Sequence, residues 1–172
     1  GNGETQAIIG RVKRNKKACD NWTNAAALVI DEVSMLSAQL FELLDALARA
    51  IRCKPALPFG GLQLILCGDF CQLPPVASST DSGGSGFCFQ SQAWATAGLE
   101  KGTVVLQETH RQASDPKFAR LLNEVRRGCC TEETISALRD CVVGVKPQPT
   151  DGILATRVYC TNRDVDSENN AR

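Results

Sequence analysis

Charge of one sign is not in excess: lysine plus arginine and aspartate plus glutamate each total 19 in 172 residues, so the formal net charge is +0. A chain without a net field does not draw in DNA or an acidic membrane over its whole surface, and any nucleic-acid contact must be local. The sequence has no run of 18 apolar residues, which excludes an ordinary membrane-spanning helix, and its first residues lack the charged-then-apolar pattern of a secretory signal. It opens without methionine, so an upstream targeting segment stays open. There is one histidine, and the nine cysteines form no CxxC pair and no His–Cys ligand cluster, which argues against zinc. Cys67 (in LILC) and Cys141 (before Val142) sit in apolar runs, where a free thiol behaves as a small hydrophobe in a reducing compartment. Cytosol, nucleus or an organelle matrix is expected.

What is present suits one globular domain, since 43% hydrophobic residues over this length bury a sizeable core. Ala25 to Ile30 is an unbroken apolar run ending in Asp31 and Glu32, the pattern of a strand buried on both faces of a parallel sheet. Ser37 is a candidate N-cap for a helix carrying Leu40, Leu44, Leu47 and Ile51 inward, with Arg49 and Arg52 near its end and Pro55 stopping it. A second apolar strand, Leu62 to Cys67, ends in Gly68 and Asp69, and a third, Thr103 to Leu106, ends in Gln107, Glu108 and Thr109. Ala77 to Gly86 reads as a serine and glycine loop and Gln90 to Ala97 as a short helix. Asp115 and Pro116 open a helix with Phe118, Leu121, Leu122 and Val125 on one face, closed by Gly128. Another starts at Glu132 and Glu133 with Ile135, Leu138 and Val142 inward, before a proline-interrupted linker, Lys146 to Thr150, and a strand, Ile153 to Tyr159. The basic stretch Arg11, Lys13, Arg14, Lys16 and Lys17 reads first as a solvated helix face and second as a phosphate contact.

Strands alternating with helices imply an α/β fold with a mainly parallel sheet and flanking helices, and such sheets bind ligands beyond the strand C-termini. Asp31, Glu32, Asp69, Gln72, Glu108 and Arg111 gather at that rim. Adjacent acids at a strand end divide two tasks in nucleotide hydrolysis, Asp31 holding magnesium and Glu32 polarising the attacking water. The same two acids also suit a strand simply leaving into solvent. In GDFCQLPPV, Gly68 to Val76, Gln72 offers both a donor and an acceptor on a segment stiffened by Pro74 and Pro75; a plain proline turn with the glutamine in water is the alternative. Arg111, in THRQ, has the fork that braces phosphoryl oxygens, with an ion pair to Glu108 as the structural alternative. His110 is left as a packing or surface residue.

Taken together, VIDEVSML (Val29 to Leu36), PFGGLQLILCGDFCQLPPV (Pro58 to Val76) and LQETHRQ (Leu106 to Gln112) resemble the petite-integration-frequency family of DNA helicases, related to the RecD helicases. The stretch from Phe41 through Gly61 looks like that family's insert between its second and third helicase motifs. FCF (Phe87 to Phe89), FARLLNEVRRG (Phe118 to Gly128) and Thr150 to Asn169 are also similar. The resemblance implies a partial RecA-like P-loop NTPase domain over 1–145, then a linker and the start of the following segment over 146–172. It implies ATP and Mg2+ as ligands: Asp31 and Glu32 in the Walker B roles, Gln72 sensing the terminal phosphate with Asp69 beside it, and Arg111 touching that phosphate. It further implies a monomeric 5′–3′ helicase acting on single-stranded DNA and duplex junctions, not on membranes. Repair, recombination, telomere or mitochondrial DNA maintenance, in nucleus or mitochondrion, would be the setting. His110 stands where the family more often has an aromatic residue.

One departure weighs most: the sequence contains no G-x-x-x-x-G-K-[ST] and no Gly-Lys-Ser or Gly-Lys-Thr triplet. The phosphate loop is expected upstream of Gly1 and the second RecA-like domain beyond Arg172, which makes the chain a fragment expected to be inactive alone. The loop's strand is expected between those matching Leu62–Cys67 and Thr103–Leu106, so its loss would leave an apolar edge that favours aggregation. Two rivals remain, a non-catalytic DNA- or protein-binding module on the same scaffold and a nucleotide hydrolase that remodels protein or RNA.

Overall fold

A computed structural model describes residues 2–76, 86–142, 145 and 156–170. They form two units, Gly1–Gly128 and Cys129–Arg172. The first contains α1 (Asn2–Arg14), α2 (Lys16–Asn24), β1 (Ala27–Ile30), α3 (Ala38–Ile51), β2 (Gln63–Leu66), α4 (Gln92–Thr96) and α5 (Pro116–Arg127). Short 3-10 turns cover Val33–Met35, Pro58–Gly61, Cys88–Gln90 and Leu99–Gly102. No helix among the described residues is long and apolar enough to cross a membrane.

Local chemistry accounts for the element ends. The Asn15 side chain accepts from the Ala18 N–H at 3.0 Å and starts α2, while Arg11, Lys13 and Arg14 lie in the last turn of α1, where cations oppose the helix dipole. All five basic residues from Arg11 to Lys17 are exposed. Ser37 caps α3 through the Leu40 N–H at 3.2 Å, as its sequence position suggests. Asp115 likewise caps α5 through Phe118 N–H, and Gly128 closes it with a φ of 68°.

β1 and β2 pair in parallel, Ala27 opposite Gln63 and Ile30 opposite Leu66. Leu28, Ile30, Leu64 and Leu66 pack against a core of Val33, Phe41, Ala48, Phe59, Leu62, Cys88 and Ala93. Phe41 and Phe59 have no exposed surface, with ring centroids 5.0 Å apart; truncating such a ring to alanine costs about 3–5 kcal/mol. The turn carrying Phe59 is built around buried Asp45, whose Oδ1 accepts from the Phe59 N–H at 2.6 Å, with the Arg49 Nε–H donating to both its oxygens. Arg52 ties the same turn to the end of α2. Its guanidinium donates to the carbonyls of Gly60 (2.9 Å), Trp22 (2.8 Å), Thr23 (3.0 Å) and Ala25 (2.9 Å). Gly60 lies against α3 with φ 59°, and a Cβ there would stand 2.7 Å from the Ala48 oxygen. A second cluster, Ile9, Leu47 and Ile51, seats α1 and α2 on α3.

Several expectations change. The strand expected at Thr103 to Leu106 does not form: among the described residues it has no ladder partner, and Val104, Val105 and Leu106 are 82%, 75% and 89% exposed. Apolar β-branched residues favour a strand only where a neighbouring strand supplies the hydrogen bonds. β1 is covered on one face, not both, since Val29 opposes Ile65 on a side that no described element covers. The apolar face of α5 forms as read, but Phe118, Leu122 and Val125 are exposed. Cys67 and Cys141 are exposed, and Cys88 is the buried thiol.

The second unit contains α6 (Glu132–Arg139) and α7 (Asn162–Asn170). Thr131 caps α6 through the Thr134 N–H. Of the residues expected inward, Ile135 is half-buried while Leu138 and Val142 are exposed, and Thr134 is the buried residue of α6. Glu168 on α7 accepts from Arg157 and from the Tyr159 hydroxyl, both at 2.9 Å. The strand expected at Ile153 to Tyr159 is absent over 156–159; its earlier residues, the linker at 146–150 and nearly all of the serine and glycine loop lie outside the described residues.

Candidate active site

Parallel pairing brings two loops to one rim of the sheet. Cys67 N–H donates to the Ile30 carbonyl at 2.9 Å, and Val33 N–H donates back to the Cys67 carbonyl at 3.0 Å. Asp31 and Glu32 therefore leave β1 beside the point where Gly68 leaves β2. Glu32 is in the left-handed region (φ 51°, ψ 45°), with its N–H donating to Asp31 Oδ1 at 2.9 Å and its carbonyl accepting from Met35 N–H at 3.0 Å. A left-handed residue other than glycine costs about 1–3 kcal/mol and collects at functional sites. The turn leaves two adjacent carboxylates exposed at the end of the strand.

The loop after β2 is held from both sides. Phe70 packs edge-on against Phe87 (5.8 Å), Phe89 (4.9 Å) and Trp94 (6.2 Å). The Phe87–Phe89 segment is itself tied to the residues after Glu32. Ala38 N–H donates to the Gly86 carbonyl at 2.8 Å, and Cys88 N–H donates to the Leu36 carbonyl at 3.1 Å. Opposite, Arg126 on α5 grips Asp69 with two hydrogen bonds, Nε–H to Oδ2 at 2.9 Å and Nη2–H to Oδ1 at 2.8 Å. This guanidinium holds the Asp69 carboxyl below the usual carboxylate range, partly opposed by desolvation, and Asp69 in turn raises the Arg126 pKa. The Gln72 Nε2–H donates to Asp69 Oδ2 at 3.4 Å. Arg111 lies exposed in the turn after the unpaired 103–109 segment, and it has no hydrogen bond or ion pair to Asp31, Glu32, Asp69 or Gln72. His110 is on the surface, its carbonyl accepting from Ala113 N–H at 3.2 Å.

The PIF1-like helicase family model matches residues 1–136. The chain belongs to the PIF1-like helicase family. It is similar to the ATP-dependent DNA helicase PIF1 of Saccharomyces cerevisiae, at 41% identity over all of this chain and 19% of that protein. The crystal structure of the Candida albicans Pif1 helicase superposes with a TM-score of 0.80 at 34% identity, covering 97% of this chain and 36% of that one. A Bacteroides Pif1 crystallised with ssDNA gives 0.58 at 28% identity, over 73% of this chain and 30% of that one. The chain thus spans about a fifth of the length of the curated relatives it matches.

Within this PIF1-like segment Asp31, Glu32, Asp69 and Gln72 come to one rim, and Arg111 is not brought against them. Among the described residues no three His, Cys, Asp or Glu side chains gather into a metal cage. Asp31 nevertheless suits magnesium, a hard cation that takes one or two carboxylates and completes its shell with water and phosphate oxygens. It is exposed, has no ion pair among the described residues, and uses one oxygen for the Glu32 N–H. Asp69 suits it less, both of its oxygens being engaged by a cation. A cleft of about 320 Å³ lined by Pro58, Leu62, Leu64 and Leu99 lies toward the other end of β2 and does not include the carboxylates.

Sequence reasoning gives Arg126 no role: it is 57 positions from Asp69 and stands out only by its charge and its place in the family-like stretch Phe118 to Gly128. That reasoning also misses Ser34, directly after Val33, whose fully buried Oγ has no partner among the described residues. Phe87 and Phe89 stand out in the sequence only as family-like flanks, since nothing local pairs them with Phe70.

Proposed function

We propose that this chain is part of the ATP-hydrolysing core of a 5′–3′ DNA helicase, 1–145 forming a partial RecA-like domain and 146–172 a linker with the start of the next segment. The observation that carries the reading is the pairing of β1 with β2, which sets the Asp31-Glu32 turn beside the Gly68–Gln72 loop. Asp31 would hold Mg2+, which would supply charge neutralisation for the terminal phosphates. Glu32 accepts a hydrogen bond from the attacking water and orients it, its carboxylate being exposed at the strand end. Gln72 turns its amide from Asp69 to the terminal phosphate. Arg111 supplies a fork to the phosphoryl oxygens once its turn is drawn inward, a contribution of roughly three to five powers of ten where such arginines act.

The substrate is single-stranded DNA and its junctions with duplex, bound by a monomer, in repair, recombination, telomere or mitochondrial DNA maintenance in nucleus or mitochondrion. Support for the DNA assignment is the likeness to Pif1 helicases, one of them crystallised with ssDNA. The isolated 172-residue chain, lacking a phosphate-loop motif, is expected not to turn over ATP. The test compares the gene product that carries this segment with its Glu32→Gln variant in DNA-stimulated ATP hydrolysis. Turnover should vanish while nucleotide binding persists; an unaffected variant, or DNA-stimulated turnover by the 172 residues alone, would overturn the reading. A non-catalytic binding module on the same scaffold would instead show DNA affinity with no nucleotide affinity in that gene product.

A further inference from the structure

We propose that Arg126 is a positioning residue for Gln72, clamping Asp69 so that the loop after β2 presents the glutamine amide in one orientation. The inference rests on the ATPase reading above and adds to it a residue outside the strand-end motifs. A guanidinium that meets both oxygens of a carboxylate fixes the plane of that carboxylate as well as its charge. Here the same two oxygens also meet the loop, Cys71 N–H donating to Oδ1 at 3.0 Å and Gln72 Nε2–H to Oδ2 at 3.4 Å, while the Asp69 backbone carbonyl accepts from Gln72 N–H at 2.9 Å.

Helix packing does not explain the pair, because α5 buries none of its residues. Stability explains only a small part of it, since the Arg126 side chain is 48% exposed and such an ion pair contributes little. What the pair does accomplish is geometric and electrostatic. With Asp69 held by Arg126 and Phe70 held in its aromatic cluster, Cys71 and Gln72 follow directly from two fixed residues. The guanidinium also neutralises a carboxylate that would otherwise repel a polyphosphate at the same rim.

The experiment measures ssDNA-stimulated ATP hydrolysis by the gene product carrying this segment, with Arg126→Ala, Arg126→Lys, Asp69→Asn and Gln72→Ala, and with Arg126→Ala combined with Gln72→Ala. Arg126→Ala should lower kcat about tenfold, the order expected for a misplaced contact, with KM for ATP near the wild-type value. Arg126→Lys should recover part of the loss, because it restores charge without the fork. Asp69→Asn keeps the loop's acceptor for Cys71 and should also lower kcat. In the Gln72→Ala background Arg126→Ala should add little, which a merely structural role would not produce. An unchanged kcat in Arg126→Ala, or losses that multiply independently with Gln72→Ala, overturns the proposal while the wild type and Gln72→Ala still behave as an ATPase and its impaired variant. A wild type without DNA-stimulated turnover, or a silent Gln72→Ala, overturns the ATPase reading and this proposal with it.

Discussion

Gly68 is a point of close approach between the two candidate loops, and replacing it with alanine tests whether that approach is real. Its φ is 154°, and an added Cβ would stand 2.8 Å from the Val33 nitrogen and 3.0 Å from Val33 Cγ1. The positive φ costs about 1–3 kcal/mol for a residue with a Cβ. Forcing a methyl into occupied space adds about 1–3 kcal/mol, because the nearest atom belongs to the Val33 backbone and cannot swing away. The stiffer unfolded chain returns about 0.4–1 kcal/mol, leaving a net loss of about 3 kcal/mol. Gly98 is the matched control: its φ is 67°, but nothing lies within 4 Å of its added Cβ. Gly98→Ala therefore meets only the left-handed cost, a net loss of about 1 kcal/mol. Urea unfolding of the two variants followed by far-ultraviolet circular dichroism should separate them by about 2 kcal/mol, or about 4–8 °C in Tm for a chain of this size. Equal losses in Gly68→Ala and Gly98→Ala would refute the close approach of the Val33 and Gly68 backbones, and with it the shared rim.

Two further outcomes rest on the same geometry. Glu32→Gly relieves the left-handed strain and should stabilise the fold by about 0.5–1 kcal/mol in thermal unfolding while removing the carboxylate; a loss of stability would argue against the strained turn. The Asp69 carboxyl is depressed by Arg126, so its stabilising contribution is present above the unfolded carboxyl value of about 3.9 and is lost as pH falls through the lower folded value. Asp69→Asn should therefore be less stable than wild type near neutrality, with the gap closing in acid unfolding below about pH 4, and a gap independent of pH would exclude the ion pair as its source.

The parts read correctly from the chain are those coded by neighbours in sequence. Ser37 and Asp115 announce helix starts because their side-chain oxygens reach only three residues ahead. β1 and β2 are legible because each is an apolar run ending at polar residues, and their carboxylates fall at one rim because parallel strands share a direction. The placing of Asp31, Glu32, Asp69 and Gln72 near one another is thus contained in four short stretches and the rule of strand order.

What the linear code does not carry are the conditions that distant residues impose. Thr103 to Leu106 has the composition of a strand, yet composition supplies no hydrogen-bond partner, and without one the segment lies open with Arg111 beyond it. Val29 and Ile65 look like two-sided core, but covering the second face requires an element that the described residues do not place there. Glu32 takes a left-handed turn because Val33 N–H is committed to the Cys67 carbonyl across the sheet, and Asp69 meets Arg126 because α5 returns to the loop from far along the chain. Side-chain chemistry and local capping named the candidate groups; backbone pairing and side-chain contacts between remote segments decided which of them face one another.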